Sequence, residues 1–364
     1  MRDAPVEEIR SAAYTFPTDG PESDGTFAWD STTIVVVEAA AAGCRGLGYT
    51  YGSAAVSRLV EETLARPVRG MPAWDVGAAW AAMWRELRNI GQPGIGAMAV
   101  SAVDSALWDL KARLLDVPLA VALDAVHGSV PVYGSGGFTS YSDERLAEQL
   151  GGWAAAGIPC VKMKVGRDPE RDGHRVEVAR RAIGDAVELF VDANGAYRRK
   201  EALEWARRFA EAGVRWLEEP VSSDDLEGLR LIRDTGPSGL EIAAGEYGYR
   251  IPDFRRLLEA GAVDCLQADV TRCGGMTGFQ RVGALADAYG TDLSAHCAPQ
   301  LSAHAGTAVR RLRHVEYFHD HVRIERLLFD GVLEPVGGVL VPDRARPGTG
   351  LEFKRDDAAP YRTA

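Results

Sequence analysis

From residue 130 onward, one pattern restricts the fold of this chain more than any other. Short apolar runs alternate with amphipathic stretches of about 10–15 residues. The runs are "VPVYGS" (130–135), "CVKMKV" (160–165), "VELFVDAN" (187–194), "VRWLEEP" (214–220), "LEIAAGE" (240–246), "CLQADV" (265–270), "TDLSAHC" (291–297) and "HVEYF" (314–318). Eight such runs, one every ~20–30 residues, describe strands separated by helices, the pattern of a (β/α)8 barrel in the α/β class. A doubly wound open sheet is the competing arrangement, but no run is followed by a glycine-rich dinucleotide fingerprint.

What precedes the barrel has a different texture. Residues 1–60 are β-rich, with "STTIVVVEAAAAG" (31–43) the clearest strand. The stretch "PTDGPESDGTFAWD" (17–30) has the Gly, Pro, Asp and Ser content of a loop. Between about 76 and 115 apolar residues recur at helical spacing, as in "MAVSAVDSALWDLKARLL". Trp74, Trp80, Trp84 and Trp108 are expected in the helix-packing core of this part. The expected organisation is an α+β capping domain over 1–125 and a barrel over 126–325. A C-terminal segment, 326–364, would return to the cap.

The ends of the barrel runs carry groups that a packed barrel does not need. "CVKMKVG" places Lys162 and Lys164 two apart, hence on one face of a strand. Later runs end with Asp192 and Asn194, Glu218 and Glu219, Glu246, Asp269, His296 and Glu316. Singly, each has an ordinary explanation: an outward-facing edge lysine, a turn aspartate, a solvated glutamate before Pro220, a satisfied core histidine. Together they fall on one end of successive strands, where (β/α)8 barrels build their active sites. Carboxylates on adjacent strands are costly to gather unless a divalent cation neutralises them, and an oxygen-only donor set suits Mg2+.

Composition narrows the function classes. The formal net charge of −11 argues against a nucleic-acid partner. The longest apolar stretch is interrupted by Glu38, so no membrane span is expected, and the N-terminus lacks a signal-peptide core. Five scattered cysteines without a C-x-x-C pair suit reduced thiols in a cytoplasm.

The ordered set of motifs resembles the enolase superfamily, and within it the mandelate racemase subgroup. The matching stretches are K-x-K at Lys162 and Lys164, "VDAN" (191–194), "LEEP" (217–220), "GE" (245–246), "ADV" with "CGG" (268–275) and "SAHC" (294–297). The resemblance implies a modified TIM barrel with a capping domain, Mg2+ as cofactor and a homo-oligomer. It implies Asp192, Glu218 and Glu246 as Mg2+ ligands, and Lys164, with Lys162 beside it, as one acid/base catalyst. The Asp269–His296 pair would be the other, on the opposite face of the substrate. Glu316 would hydrogen-bond the substrate carboxylate as it becomes an enediolate. Tyr247 stands where the subgroup commonly has asparagine.

The chemistry is coherent on its own terms. A proton α to a carboxylate is weakly acidic, so the developing dianion needs concentrated positive charge, and Lys162 with a divalent metal could supply it. Lys164 must be neutral to accept a proton, and its cationic neighbours are expected to depress its pKa. His296 needs a partner to fix its tautomer, and Asp269 is the candidate. By resemblance, the segments around 17–29 and 48–53 would read the distal part of the substrate. Their polar character favours acid sugars, so the expected reaction is dehydration to a 2-keto-3-deoxy acid, with racemisation or epimerisation by 1,1-proton transfer as the alternative. A catalytically silent binding protein would show lesions among these residues, and none is present. Asn194, Tyr141 and His319 are further candidates for substrate contact.

Overall fold

A computed structural model describes residues 4–363, so the first three residues of the expected cap and the last residue of the tail lie outside it. Three strands open the chain: β1 (Glu8–Ser23), β2 (Ala28–Ala41) and β3 (Cys44–Tyr51), antiparallel in that order. The continuous apolar character of β2 follows from burial on both faces. Val35, Val37 and Ala39 pack with the helix Ile95–Leu114, whereas Ile34 and Val36 join the core shared with the barrel. Gly48 of β3 is required by that packing, since a Cβ there would lie 2.2 Å from the carbonyl oxygen of Ala102.

The stretch 17–30, expected as a loop, is instead the far end of the β1–β2 hairpin. Its Pro and Gly content is absorbed by a register shift between Pro17 and Glu22, and pairing resumes at Glu22 with Trp29. The turn is confined to residues 24–27, where Asp24 Oδ1 accepts from the amides of Thr26 (2.6 Å) and Phe27 (2.7 Å). The other expected reading segment, 48–53, lies mostly within β3.

Each apolar run named above forms a barrel strand: β4 (Val130–Gly136), β5 (Cys160–Lys164), β6 (Glu188–Asp192), β7 (Val214–Glu218), β8 (Glu241–Ala244), β9 (Cys265–Ala268), β10 (Asp292–Ala295) and β11 (Leu312–Phe318). All are parallel to their neighbours, and β11 pairs back onto β4. The sheet is thus a closed barrel with a helix after every strand, and the open-sheet alternative is excluded. Inside it, Tyr133, Phe190, Trp216, Ala243 and Cys265 form their own apolar cluster, with the Phe190 and Trp216 rings stacked at 5.3 Å. This filling makes a dry floor beneath the strands' C-terminal ends.

Cap and barrel are stitched together at several points. Trp80 Nε1 donates to the carbonyl of Gly274 and Trp108 Nε1 to Thr277 Oγ1, both at 2.8 Å. These two tryptophans therefore bind cap to barrel as well as packing the cap itself. Beyond the helix His319–Leu328 the tail pairs Val339–Leu340 with β4, then reaches β1: Tyr361 stacks on Phe16 at 4.1 Å and the Thr363 amide donates to Ala13 O at 2.8 Å. All five cysteines are free thiols, and among the described residues no helix is long and apolar enough to cross a membrane.

Candidate active site

Strand register assembles the site. Lys164 lies opposite Asp192, and Asp192 opposite Glu218, on three consecutive strands. Glu246 follows two residues after β8, Asp269 and His296 directly after β9 and β10, and Glu316 sits in β11 opposite Tyr133. Every one of these side chains is buried. Chain reversal at the strand ends is abrupt: Asn194, Glu219, Cys297 and Ala298 all have φ between 39° and 49°, uncommon for residues with a Cβ.

Lys162 is wholly enclosed. Its Nζ donates to Glu218 at 2.8 Å and pairs with Glu316 Oε1 at 2.8 Å and Asp192 Oδ2 at 3.5 Å. Burial pulls its pKa down, but Glu218 and Glu316 hold it well above the usual lysine value, so Lys162 is a fixed ammonium. Lys164 donates to Asp192 Oδ2 at 2.5 Å. The expected depression of Lys164 is not what the protein groups alone produce. Burial and Lys162 lower its pKa, yet the Asp192 carboxylate outweighs them and the net shift is upward. Lys162 can depress its neighbour only where Asp192's charge is committed to a cation.

Glu316 accepts from Ser135 Oγ at 2.6 Å and from the Cys297 amide at 3.1 Å. Burial raises its pKa, but Lys162 and His296 hold it well below the carboxylate range. As an anion it accepts hydrogen bonds, so the expected donation to an enediolate requires it first to take a proton, which Lys162, held as an ammonium, does not release. Glu218 is pushed up to about 7 by burial and by Asp192, against Lys162, and accepts from Trp216 Nε1 at 3.0 Å.

Across the barrel stands the second acid/base group. β5 and β9 are four strands apart in a ring of eight, so Lys164 and Asp269 come from facing strands. His296 Nδ1 contacts Asp269 Oδ2 at 2.9 Å, and its Nε2 contacts Glu246 Oε2 at 2.5 Å. Asp269 is fixed in turn by the amide and hydroxyl of Thr271, each 2.7 Å from Oδ1, and by Arg272 Nε at 3.4 Å from Oδ2. Burial opposes the imidazolium, but Cys297, Glu246, Glu316 and Asp269 raise the His296 pKa well above its ordinary value. With both ring nitrogens facing carboxylates, the imidazolium form of His296 is favoured.

The three candidate substrate contacts separate. Asn194 stays beside the centre: its amide donates to Asp192 Oδ1 at 2.9 Å and its Oδ1 is buried without a protein partner. Tyr141 and His319 belong instead to a clasp between the cap hairpin and the barrel. His319 Nε2 and Arg145 Nη2 both meet Asp19 Oδ2, at 2.9 and 3.1 Å, and the Arg145 guanidinium lies over the Tyr141 ring. The acidic hairpin is not a solvated fringe either. Glu22 is buried, accepts from Trp29 Nε1 at 2.8 Å, and is pushed up to about 9 by burial and by Asp320, so it is neutral. Gly25 at the hairpin tip lies against the barrel, where a Cβ would come 2.3 Å from Ala193 O and 2.8 Å from Val165 O.

Several groups at the centre were not singled out from the sequence. Ser135, Trp216, Arg272 and Cys297 contact the buried carboxylates directly. Glu219, named from the sequence with Glu218, has its Oε1 buried without a partner. A strand-end position was the available signal for Ser135 and Cys297. Six carboxylates (Asp192, Glu218, Glu219, Glu246, Asp269 and Glu316) gather here against Lys162, Lys164, His296 and Arg272. An excess of buried carboxylate on the adjacent strand ends β6 to β8, with an orphaned glutamate oxygen, fits a hard divalent cation.

Comparison with known proteins bears on this geometry. The family model for the mandelate racemase/muconate lactonizing enzyme N-terminal domain matches residues 19–123, and the enolase C-terminal domain-like model matches 145–358. The chain is 34% identical over 359 residues to 3,6-anhydro-alpha-L-galactonate cycloisomerase of Streptomyces coelicolor, covering 96% of this chain and 98% of that one. It is 30% identical over 284 residues to L-talarate/galactarate dehydratase of Salmonella typhimurium, covering 76% and 70%. Among solved structures, a mandelate racemase/muconate lactonizing enzyme-like protein from Rubrobacter xylanophilus superposes with TM-score 0.97 at 62% identity, over 99% and 100% of the two chains. A racemase from Streptomyces coelicolor with bound magnesium superposes with TM-score 0.92 at 32% identity, over 98% and 100%.

Proposed function

The chain belongs to the mandelate racemase/muconate lactonizing enzyme family of the enolase superfamily, and from that premise we propose that it eliminates the C3 oxygen of an acid sugar after removing the proton at C2. The observation that carries this reading is the placement of Lys164 on a strand facing that of Asp269, which contacts His296 Nδ1 at 2.9 Å. Lys164 takes the C2 proton from one side. His296 delivers a proton to the departing oxygen from the other, and Asp269 holds its ring in register. Lys162, fixed as an ammonium, faces the negative charge that accumulates on the substrate carboxylate.

Asp192, Glu218 and Glu246 are the residues that would hold Mg2+, in keeping with the magnesium in the Streptomyces coelicolor racemase structure. Bound there, the ion would withdraw charge from the substrate carboxylate and acidify the adjacent C–H. The two curated relatives fit one chemistry. A dehydratase loses the C3 oxygen as water. A 3,6-anhydro sugar acid carries that oxygen in an ether, so the same C3–O cleavage opens the ring and loses no atom. Racemisation or epimerisation is the second reading, because acid/base groups on facing strands also serve 1,1-proton transfer.

The test is a screen of purified protein with Mg2+ against mono- and diacid sugars and 3,6-anhydro aldonates, using semicarbazide to trap 2-keto products and NMR in D2O. A keto product lighter than its substrate by one water identifies a dehydratase, and one of equal mass a cycloisomerase. Deuterium at C2 with changed configuration and no keto product supports the epimerase. Absence of both keto product and C2 exchange throughout would overturn the acid-sugar assignment.

A further inference from the structure

Cys297 takes no part in the chemistry proposed above, yet its thiol lies within the catalytic cluster. Its Sγ is 3.3 Å from His296 Nε2 and 3.4 Å from Glu316 Oε2, and those two atoms are 3.5 Å apart. All three residues are buried, and their ligating atoms lie close enough together to hold a metal ion. A tetrahedral Zn2+ with Zn–S about 2.3 Å and Zn–N or Zn–O about 2.0–2.2 Å sets its ligand atoms about 3.3–3.6 Å apart. The observed triangle has the dimensions of one face of that tetrahedron, leaving a fourth position open.

The surroundings of the triangle match what a zinc site needs. Asp269 Oδ2 on His296 Nδ1, at 2.9 Å, is the carboxylate–histidine arrangement that aims the other ring nitrogen at a metal. Glu316 is anchored on its other oxygen by Ser135 Oγ at 2.6 Å and Lys162 Nζ at 2.8 Å, so Oε2 is the oxygen presented. The donor set of thiolate, imidazole and carboxylate is softer than the all-oxygen set Asp192, Glu218 and Glu246, which separates the two sites by metal preference.

We propose that His296, Cys297 and Glu316 form a second, zinc-selective site whose occupation switches the enzyme off. As the metal binds, the Cys297 thiol and the His296 Nε2 each release a proton to solvent, and Glu246 gives up its contact with Nε2. The nitrogen that would carry the catalytic proton is then bonded to metal. Inhibition rests on the proton-carrying role proposed for His296; binding does not.

The test therefore reads binding first. Equilibrium dialysis of the full chain against Zn2+ in saturating Mg2+ is expected to show one tight equivalent that is lost in Cys297→Ser and Cys297→Ala. Co2+ in place of Zn2+ is expected to give a near-ultraviolet thiolate-to-metal charge-transfer band in wild type and none in either variant. Zinc uptake that is unchanged in the variants, or a wild-type Co2+ spectrum without the band, overturns the site. The wild-type spectrum decides alone if both variants misfold. Where the site binds and catalysis continues undiminished, the switch is overturned.

Discussion

Replacing Asp269 with asparagine removes one charge and almost no volume. Oδ1 keeps both Thr271 donors at 2.7 Å, so the loop after β9 stays anchored. The atom in the Oδ2 position becomes an amide NH2 facing two other donors, His296 Nδ1 at 2.9 Å and Arg272 Nε at 3.4 Å. The ring must then expose Nδ1 as an acceptor and place its one proton on Nε2, toward Glu246 at 2.5 Å. The charge-assisted bond that favoured the imidazolium, worth ~1.5–3 kcal/mol, is gone. General acid/base assistance of ~10²–10⁴ should go with it, equivalent to about 2.7–5.4 kcal/mol of barrier. Lys164, on the facing strand, is untouched. In the substrate found by the screen, kcat for elimination should fall by ~10²–10⁴ with KM little changed, while solvent deuterium still enters C2. Loss of less than about tenfold, below the range for a general acid, would refute the role of the dyad. So would parallel loss of turnover and exchange.

Lys164→Ala should show the complementary pattern, with C2 deuterium exchange by NMR falling ~10²–10⁴. Chelation with EDTA should abolish turnover, and Mg2+ should restore it; activity that survives exhaustive chelation contradicts the role given to Asp192, Glu218 and Glu246. Gly25→Ala forces a Cβ to within 2.3 Å of Ala193 O. Overpacking of ~1–3 kcal/mol should appear as a raised KM with a small loss in melting temperature, because the hairpin tip and not the barrel must yield. Glu325, buried against the Tyr49 hydroxyl at 2.6 Å, is pushed by burial from 4.5 up to about 8. The stability it contributes is complete below about pH 4.5 and lost as pH rises to about 8, at most about 5 kcal/mol in all. Glu325→Gln should lack that decline, so its melting temperature should gain on wild type from pH 5 to pH 8; parallel curves would refute the shift.

The barrel was legible because its signal is local and repeated. Eight apolar runs each declared a strand, and the alternation rule alone put Lys162 and Lys164 on one face. The strand-end acids and His296 were legible as a set for the same reason, since consecutive strands of a barrel present equivalent positions. The cap hairpin was not. Pro17, Gly20 and Asp24 read as loop, but pairing with β2 is a backbone property that tolerates a register shift, and burial under the barrel mouth neutralises Glu22.

The sequence by itself determined which residues stand at the barrel mouth and in what order, because strand parity and repeat length are properties of neighbouring residues. Only the tertiary structure decided their electrical state. Among the protein groups alone, Asp192 raises the pKa of Lys164, Lys162 lowers that of Glu316, and the carboxylates around His296 raise that of its ring. Those states depend on distances of a few ångströms between residues from strands far apart in the chain. The Coulomb energy of buried groups varies with such distances and with the loss of water, and neither is written in the order of the residues.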